Sequence, residues 1–196
     1  MQKTSKKAIV QRKLLHLALL FPYSVYWYLY AHLDNVYTAN IFLFSVLFVF
    51  FLYEYIRLDL GLRVPFDTLV KPKEMNAPVD GLNLVLAGLI LHNTIPFPIA
   101  FTAMLMGIIG DAASTLGALL GDWKVFPESD NKTTWEGVIL TFIVNITIGI
   151  SVLGISWPVV PMALFAIIVE TMVTNIDDNL VVPIIVGMIG LILSYV

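Results

Sequence analysis

The residues best suited to chemistry lie between Gly107 and Gly137, where polar side chains interrupt a strongly apolar stretch. Asp111 lies inside this stretch, and a carboxylate in a membrane segment is costly enough to mark a functional site by default. On a helix, Asp111, Ser114 and Thr115 share one face by their three- and four-residue spacing. Two interpretations stay open: a helix-packing seam in which Asp111 is hydrogen-bonded, or a carboxylate that holds Mg²⁺ together with substrate phosphates.

Small residues surround this aspartate and continue to the end of the same apolar stretch. They allow close approach to the helix backbone, either by a second helix or by a phosphate group. The set consists of Gly107, Gly110, Ala113, Ser114, Gly117, Ala118 and Gly121.

The next apolar segment begins at a polar motif, Lys132-Thr133-Thr134-Trp135-Glu136-Gly137. Thr133 or Thr134 as the N-cap, with Glu136 in the first turn, is typical of an ordinary helix start. A helix N-terminus beside a lysine is also a good phosphate site, which makes Lys132 a candidate ligand. Next to a phosphate, Glu136 is useful if it binds a metal ion or a sugar hydroxyl, or if it orients Lys132.

A further acidic group lies near the end of the chain, where Glu170 precedes Asp177-Asp178-Asn179 by seven residues. Glu170 can simply pair with a basic residue, and the Asp-Asp-Asn cluster can simply form a tight turn. If these acids converge with Asp111, they supply both metal ligands and a general base. Transfer of a phosphoryl group to an alcohol requires both.

The other charged candidates lie at the ends of hydrophobic segments or in the loop between them. Arg12 and His16 share a helical face and suit interfacial anchoring. Glu54 with Arg57, and Lys71 with Glu74, are two pairs at three-residue spacing, which intrahelical ion pairs would also explain. We treat them as supporting residues: Arg12, His16, Glu54, Arg57, Lys71 and Glu74.

The composition indicates what must position these residues. Of the 196 residues, 59% are hydrophobic and 13% charged, and the mean hydropathy is +0.88. We therefore predict an all-α, polytopic membrane bundle that forms one transmembrane domain over residues 1–196. The absence of cysteine excludes disulfides and thiolate metal sites. The basic stretch 1–13 precedes an apolar run without a cleavage site, which favours a first span over a removable signal peptide.

Hydropathy and charge placement predict about seven spans with a cytoplasmic N-terminus. In this arrangement every Lys and Arg falls on one side of the membrane, and the positive-inside rule makes that side cytoplasmic. The host would be the cell membrane or the endoplasmic reticulum, with the active site facing the cytoplasm. The predicted spans are Leu14–Ala31, Thr38–Leu60, Gly81–His92, Pro96–Leu120, Trp135–Ile155, Pro158–Thr174 and Leu180–Val196.

The polar motifs resemble those of the CTP-dependent lipid-alcohol kinases, which include dolichol kinase, phytol kinase and the CTP-using diacylglycerol kinase. That family carries Asp-Ala-x-Ala-Ser-x-x-Gly-x-x-x-Gly followed by Lys-x-Thr-x-Glu-Gly. This chain has Asp111-Ala112-Ala113-Ser114, Gly117 and Gly121, followed by Lys132 to Gly137. The supporting residues and the Glu170 to Asn179 region are also similar. Two departures are Lys71, where related chains often have arginine, and a chain much shorter than dolichol kinases proper.

The resemblance implies that the γ-phosphate of CTP, bound with Mg²⁺, passes to the hydroxyl of a membrane lipid alcohol, most simply a polyprenol or dolichol-like isoprenoid. It implies metal binding by Asp111, Glu170 and Asp178, and a general base in the Asp177/Asp178 pair. Lys132, with Glu136 in support, joins them in catalysis. The implied nucleotide contacts are Ser114, Gly117, Gly121, Lys132, Thr133 and Gly137, and Asn179 supports the acids. The partners are CTP, the lipid alcohol and the bilayer, with no nucleic acid.

Three alternatives remain. A CDP-lipid synthase would displace pyrophosphate from CTP, but the His-Gly-Gly-x-x-Asp-Arg-x-Asp block of bacterial phosphatidate cytidylyltransferases is missing from the sequence. A CTP-using diacylglycerol kinase differs only in its acceptor. A transporter would use Asp111 and Glu170 as intramembrane ligands, although the sequence has no evident inverted repeat.

Overall fold

The computed structural model describes residues 6–33, 35–62, 80–121, 123–125, 133–172 and 176–195. Over these ranges the chain is helical apart from one antiparallel bridge between Lys124 and Thr134, which confirms the all-α prediction. The helices are α1 (Lys6–Ala18), α2 (Leu20–Leu33), α3 (Val36–Leu58), α4 (Asp80–Thr94), α5 (Phe97–Leu120), α6 (Trp135–Leu153), α7 (Val159–Met172) and α8 (Asp178–Leu193).

Among the described residues, four segments are long and apolar enough to cross a membrane. They are Ile9–His32, Val36–Leu58, Phe97–Leu120 and Trp135–Leu153. A 24-residue helix extends about 36 Å, which exceeds the roughly 30 Å hydrocarbon layer. The protein is therefore an integral membrane protein. Helices α4, α7 and α8 are apolar but shorter, so the seven-span count and the cytoplasmic N-terminus stay predictions.

The described chain divides into two compact units, Met1–Leu89 and Ile90–Val196. In the first unit a turn at Leu19 separates α1 from α2. Pro22 explains this break, because proline has no N–H to donate to the carbonyl of Ala18 one turn earlier. The apolar segment nevertheless continues through the turn, from Ile9 to His32.

Buried tyrosines organise the helix contacts of the first unit. The Tyr23 hydroxyl donates to the carbonyl oxygen of Leu84 at 2.9 Å, and a Cβ on Gly88 would overlap the Tyr23 ring. The Tyr26 hydroxyl donates to Oδ1 of Asn40 at 3.3 Å, which links α2 to α3. Each tyrosine thus buries its ring while its hydroxyl keeps a hydrogen bond.

The second unit contains the antiparallel helices α5 to α8. Helix α5 packs against α6 and α8, while α7 packs against both α6 and α8. Small residues set these contacts: Gly149 on α6 faces Val159 on α7, and Gly190 on α8 faces Ile99 and Met162. Half of the residues of α5 are buried, so this helix forms the core of the unit.

A short ribbon joins α5 to α6. The N–H of Val125 donates to the Thr133 carbonyl at 3.0 Å, and the N–H of Trp135 donates to the Trp123 carbonyl at 2.9 Å. These two bonds flank the Lys124–Thr134 bridge. The ribbon therefore fixes both ends of the connection between the helices that carry the central sequence motifs.

Candidate functional site

Three of the predicted acids line one cavity in the second unit. The lining consists of Asp111 and its neighbours on α5, Glu170 on α7, and the first turns of α8: Met106, Gly107, Asp111, Glu170, Asp178, Asn179 and Val182. The cavity measures about 220 Å³, including the part open to solvent. The space that a water-sized particle can occupy inside it is only about 10 Å³, roughly the room that one water molecule or one small ion needs.

The contact between α5 and α8 brings Asp111 and Asp178 to the same level along the helix axes. Gly107 lies against the ring of Pro183, where a Cβ would come within 2.8 Å of the proline Cγ. Asp111 follows Gly107 by one turn, and Asn179 precedes Pro183 by one turn. Because the two helices run antiparallel, these turns extend to the same side of the contact, where Asp178 also joins the lining.

Asn179 organises the acidic cluster at the start of α8. Its side-chain Nδ2 donates to Oδ1 of Asp177 at 3.0 Å and to Oδ1 of Asp178 at 3.2 Å. Its backbone N–H donates to the same two oxygens. Asp177 is the N-cap of the helix and does not belong to the cavity lining, whereas Asp178 does. The two aspartates therefore differ in position, with Asp178 the better placed for chemistry.

The cavity is distant from the C-terminal end of α5. Asp111 precedes the last residue of α5, Leu120, by nine residues, which corresponds to about 14 Å of helix. Glu170, by contrast, is two residues from the end of α7, and Asp178 is the first residue of α8. Helix α5 therefore extends about 14 Å beyond Asp111, whereas the described part of α7 ends two residues after Glu170.

The donor set suits a hard cation, because carboxylate and amide oxygens are the ligands that Mg²⁺ prefers. The described residues nevertheless contain no group of three or more His, Asp or Glu side chains arranged to hold a metal ion. Asp111, Glu170 and Asp178 thus share a cavity without forming a complete metal site. This fits Mg²⁺ bound through one or two carboxylates and completed by substrate phosphates and water.

The glycines near the end of α5 pack against α6. A Cβ on Gly117 would lie 2.7 Å from the backbone N of Gly137, and a Cβ on Gly137 would lie 2.8 Å from the Ser114 carbonyl oxygen. Gly121 lies against the side chain of Glu136. Of the two interpretations open for these small residues, the structure uses them for helix packing. Their predicted contact with nucleotide stays a prediction.

The start of α6 has the capped geometry that its sequence predicts. The Thr134 side chain accepts a hydrogen bond from the Gly137 N–H at 3.2 Å, and it is the N-cap. Oε2 of Glu136 is buried without a hydrogen-bond partner. Thr133 lies in the ribbon, and Lys132 is outside the described residues. The role of this motif in binding phosphate therefore rests on the sequence.

The supporting residues belong to the first unit. Arg57 donates to Oε2 of Glu54 at 2.6 Å, and both side chains are buried, so the predicted intrahelical pair is present. His16 is also buried, and Arg12 is half-buried. Residues 71 and 74, the predicted Lys71 and Glu74, are outside the described ranges.

The sequence analysis missed two polar residues in the α5–α6 contact. Asn145 and Thr141 lie on α6 and are 0% and 1% exposed. The Thr141 hydroxyl donates to the Gly110 carbonyl at 3.4 Å. An asparagine in the middle of an apolar span is itself a signal, because polar groups in such a segment face the protein interior.

Comparison with protein-family models, with curated proteins and with solved structures gives no match to this chain.

Proposed function

We propose that this protein is a CTP-dependent kinase that transfers a phosphoryl group to the hydroxyl of a membrane lipid alcohol. The observation that supports this function best is the cavity shared by Asp111, Glu170 and Asp178 inside a membrane bundle. The second support is the resemblance of the Asp111 to Gly121 and Lys132 to Gly137 motifs to those of the lipid-alcohol kinases. The cavity suggests cation and phosphate chemistry, and the resemblance suggests CTP as the phosphoryl donor.

Electrostatics favours a cation in this cavity. Carboxylates that share a small cavity repel one another; for scale, any two like unit charges about 6 Å apart repel by about 3 kcal/mol at an effective dielectric constant of about 20. A third acid in the same small space adds further repulsion. A divalent cation converts this repulsion into attraction, and it also attracts the phosphate groups of a nucleotide.

Each acid then has a role in the proposed reaction. Asp111 and Glu170 would hold Mg²⁺, which when bound neutralises charge on the phosphate oxygens. Asp178 lines the cavity and would accept the proton of the lipid hydroxyl, with Asn179 orienting its carboxylate. A bond forms between the alcohol oxygen and the γ-phosphorus while the bond from that phosphorus to the bridging oxygen breaks, and CDP leaves.

The different helix lengths suggest how the two substrates share the site. The part of α5 beyond Asp111 forms a surface on which an elongated nucleotide would lie, with its γ-phosphate at the acids and its other end near Thr133. By the resemblance of its motif, Lys132 would bind a phosphate of the nucleotide. The lipid chain would remain among the apolar helices, since only its hydroxyl has to reach the acids.

Labelled CTP tests this function. The purified full-length protein is incubated with CTP labelled at either the α- or the γ-phosphate, Mg²⁺ and a panel of polyprenols, shorter isoprenoid alcohols and diacylglycerol. We expect γ-label in the lipid. Transfer of α-label would instead identify a CDP-lipid synthase.

The same preparation separates enzymatic from transport function. If no lipid is labelled and CTP is not consumed, reconstituted vesicles are tested for cation flux. Flux that depends on Asp111 and Glu170 would replace the kinase proposal with the transporter alternative.

A further inference from the structure

Asn145 lies about halfway along α6 and has no exposed surface. It follows the first residue of the helix by ten positions, which places it about 15 Å along the axis. Neither Oδ1 nor Nδ2 of its side chain has a hydrogen-bond partner. A primary amide offers two N–H donors and one acceptor oxygen. In Asn145 none of these makes a hydrogen bond to the described protein.

The amide is directed at α5. A Cβ on Gly110 would lie 2.8 Å from Oδ1 and 3.3 Å from Nδ2 of Asn145. The nearby Thr141 hydroxyl donates to the Gly110 carbonyl, and Thr141 is one turn before Asn145 on the same face of α6. The contact therefore contains a hydroxyl, a carbonyl and an amide within an otherwise apolar helix pair.

This polar contact is separate from the acid cavity. The residues that line the cavity come from α5, α7 and α8 and include none from α6. On α5, Gly107 and Asp111 belong to the cavity lining, whereas Gly110 faces Asn145. Asn145 therefore cannot be explained as part of the proposed catalytic site.

We propose that Asn145 binds one water molecule in the α5–α6 contact, next to Gly110. Burial of an amide without hydrogen bonds destabilises a protein, and a water molecule both donates and accepts, as this amide requires. Buried waters commonly make about three hydrogen bonds to polar groups that are otherwise unsatisfied. A metal cation would suit the site poorly, because the Nδ2 donors would face it and no carboxylate belongs to this contact.

The absence of a side chain at Gly110 lets the amide come close to α5. A side chain at position 110 would meet the amide itself, as the 2.8 Å separation from Oδ1 shows. The water would let two helices come together around a polar group without leaving that group unsatisfied.

Nuclear magnetic resonance of the full-length protein in deuterated detergent, without added lipid alcohol, tests the proposal. A long-lived water gives NOE and ROE cross-peaks of opposite sign to the Asn145 side-chain amide. Asn93, which is exposed, reports on short-lived surface water in the same spectrum. The Asn145→Leu variant lacks this side-chain amide, so the cross-peaks that disappear from its spectrum belong to Asn145.

Thr141→Val controls for magnetisation relayed by exchange of the Thr141 hydroxyl proton, and Gly110→Ala places a methyl group against the amide. We expect the cross-peaks to persist in Thr141→Val and to be lost in a folded Gly110→Ala protein. If Gly110→Ala does not fold, the Thr141→Val spectrum decides alone. Absence of the Asn145 cross-peaks in Thr141→Val would overturn the proposal, as would their full retention in folded Gly110→Ala.

Discussion

Replacement of Gly117 by alanine tests the α5–α6 contact most severely. A Cβ at this position would meet only backbone: it would lie 2.7 Å from the N of Gly137 and 2.9 Å from the Glu136 carbonyl oxygen, and closer still to the Gly137 Cα. Ordinary contact begins at 3.4 Å, so the helices must part by at least about 0.7 Å here. No side-chain rotation can relieve this overlap, because the atoms belong to the backbone of α6.

The expected loss of stability combines two opposing effects. Overpacking costs typically 1–3 kcal/mol, and the upper end is appropriate because the obstacle is backbone. Alanine regains about 1 kcal/mol over glycine in a helix interior. We therefore expect Gly117→Ala to lower the free energy of unfolding by about 2 kcal/mol.

Reversible unfolding in mixed micelles, followed by circular dichroism, measures this loss. Gly187→Ala on α8 is the matched control, because its Cβ would meet the side-chain methyl groups of Leu91 and Ile95, which can move. We expect the control to change stability by less than about 1 kcal/mol. A Gly117→Ala protein as stable as wild type would refute the close backbone contact between α5 and α6.

Three further predictions concern individual polar groups. Asp111→Asn should abolish phosphoryl transfer in the γ-labelled CTP assay, whereas Asp59→Asn, at an exposed position at the end of α3, should retain it; full activity of Asp111→Asn would exclude the aspartate from the reaction. Asp178→Asn should lose activity with little change in the free energy of unfolding. Asp177→Ala should lower the free energy of unfolding by about 1 kcal/mol through loss of the N-cap. Loss of stability in Asp178→Asn with loss of activity only in Asp177→Ala would contradict their separate roles. Tyr23→Phe should lower stability by about 1 kcal/mol, because its buried hydroxyl loses a 2.9 Å hydrogen bond, and an unchanged midpoint would show that this bond contributes nothing.

Hydropathy predicts the helical membrane class well, because a long apolar run such as Phe97–Leu120 has few alternatives to a membrane helix. It predicts helix ends less well. Hydropathy starts the first span at Leu14, whereas the apolar helical segment in the structure starts at Ile9 and is interrupted by a turn at Leu19. Local effects of single residues such as Pro22 decide such breaks, and a hydropathy average does not contain them.

Two acids of the candidate site could be predicted from the sequence, but their shared position could not. Asp111 and Glu170 stand out because each is an acid in an apolar segment, and the cost of burial makes both conspicuous. Their shared cavity depends on helix register, which glycine contacts such as Gly107 with Pro183 determine. Spacing along one helix contains no information about that register. It also does not show whether Gly117 approaches a phosphate or, as observed, the backbone of another helix.

Binding of Mn²⁺, followed by electron paramagnetic resonance, tests the central claim that Asp111 and Glu170 hold a divalent cation in the cavity. The purified protein is titrated with Mn²⁺ in the presence and absence of CTP, and Asp111→Asn and Glu170→Gln are compared with Asp59→Asn. We predict one site that binds more tightly with CTP. Asp111→Asn and Glu170→Gln should each weaken it at least about tenfold, equivalent to about 1.4 kcal/mol, while Asp59→Asn should not. Equal Mn²⁺ affinity in wild type and in both cavity variants would contradict the account.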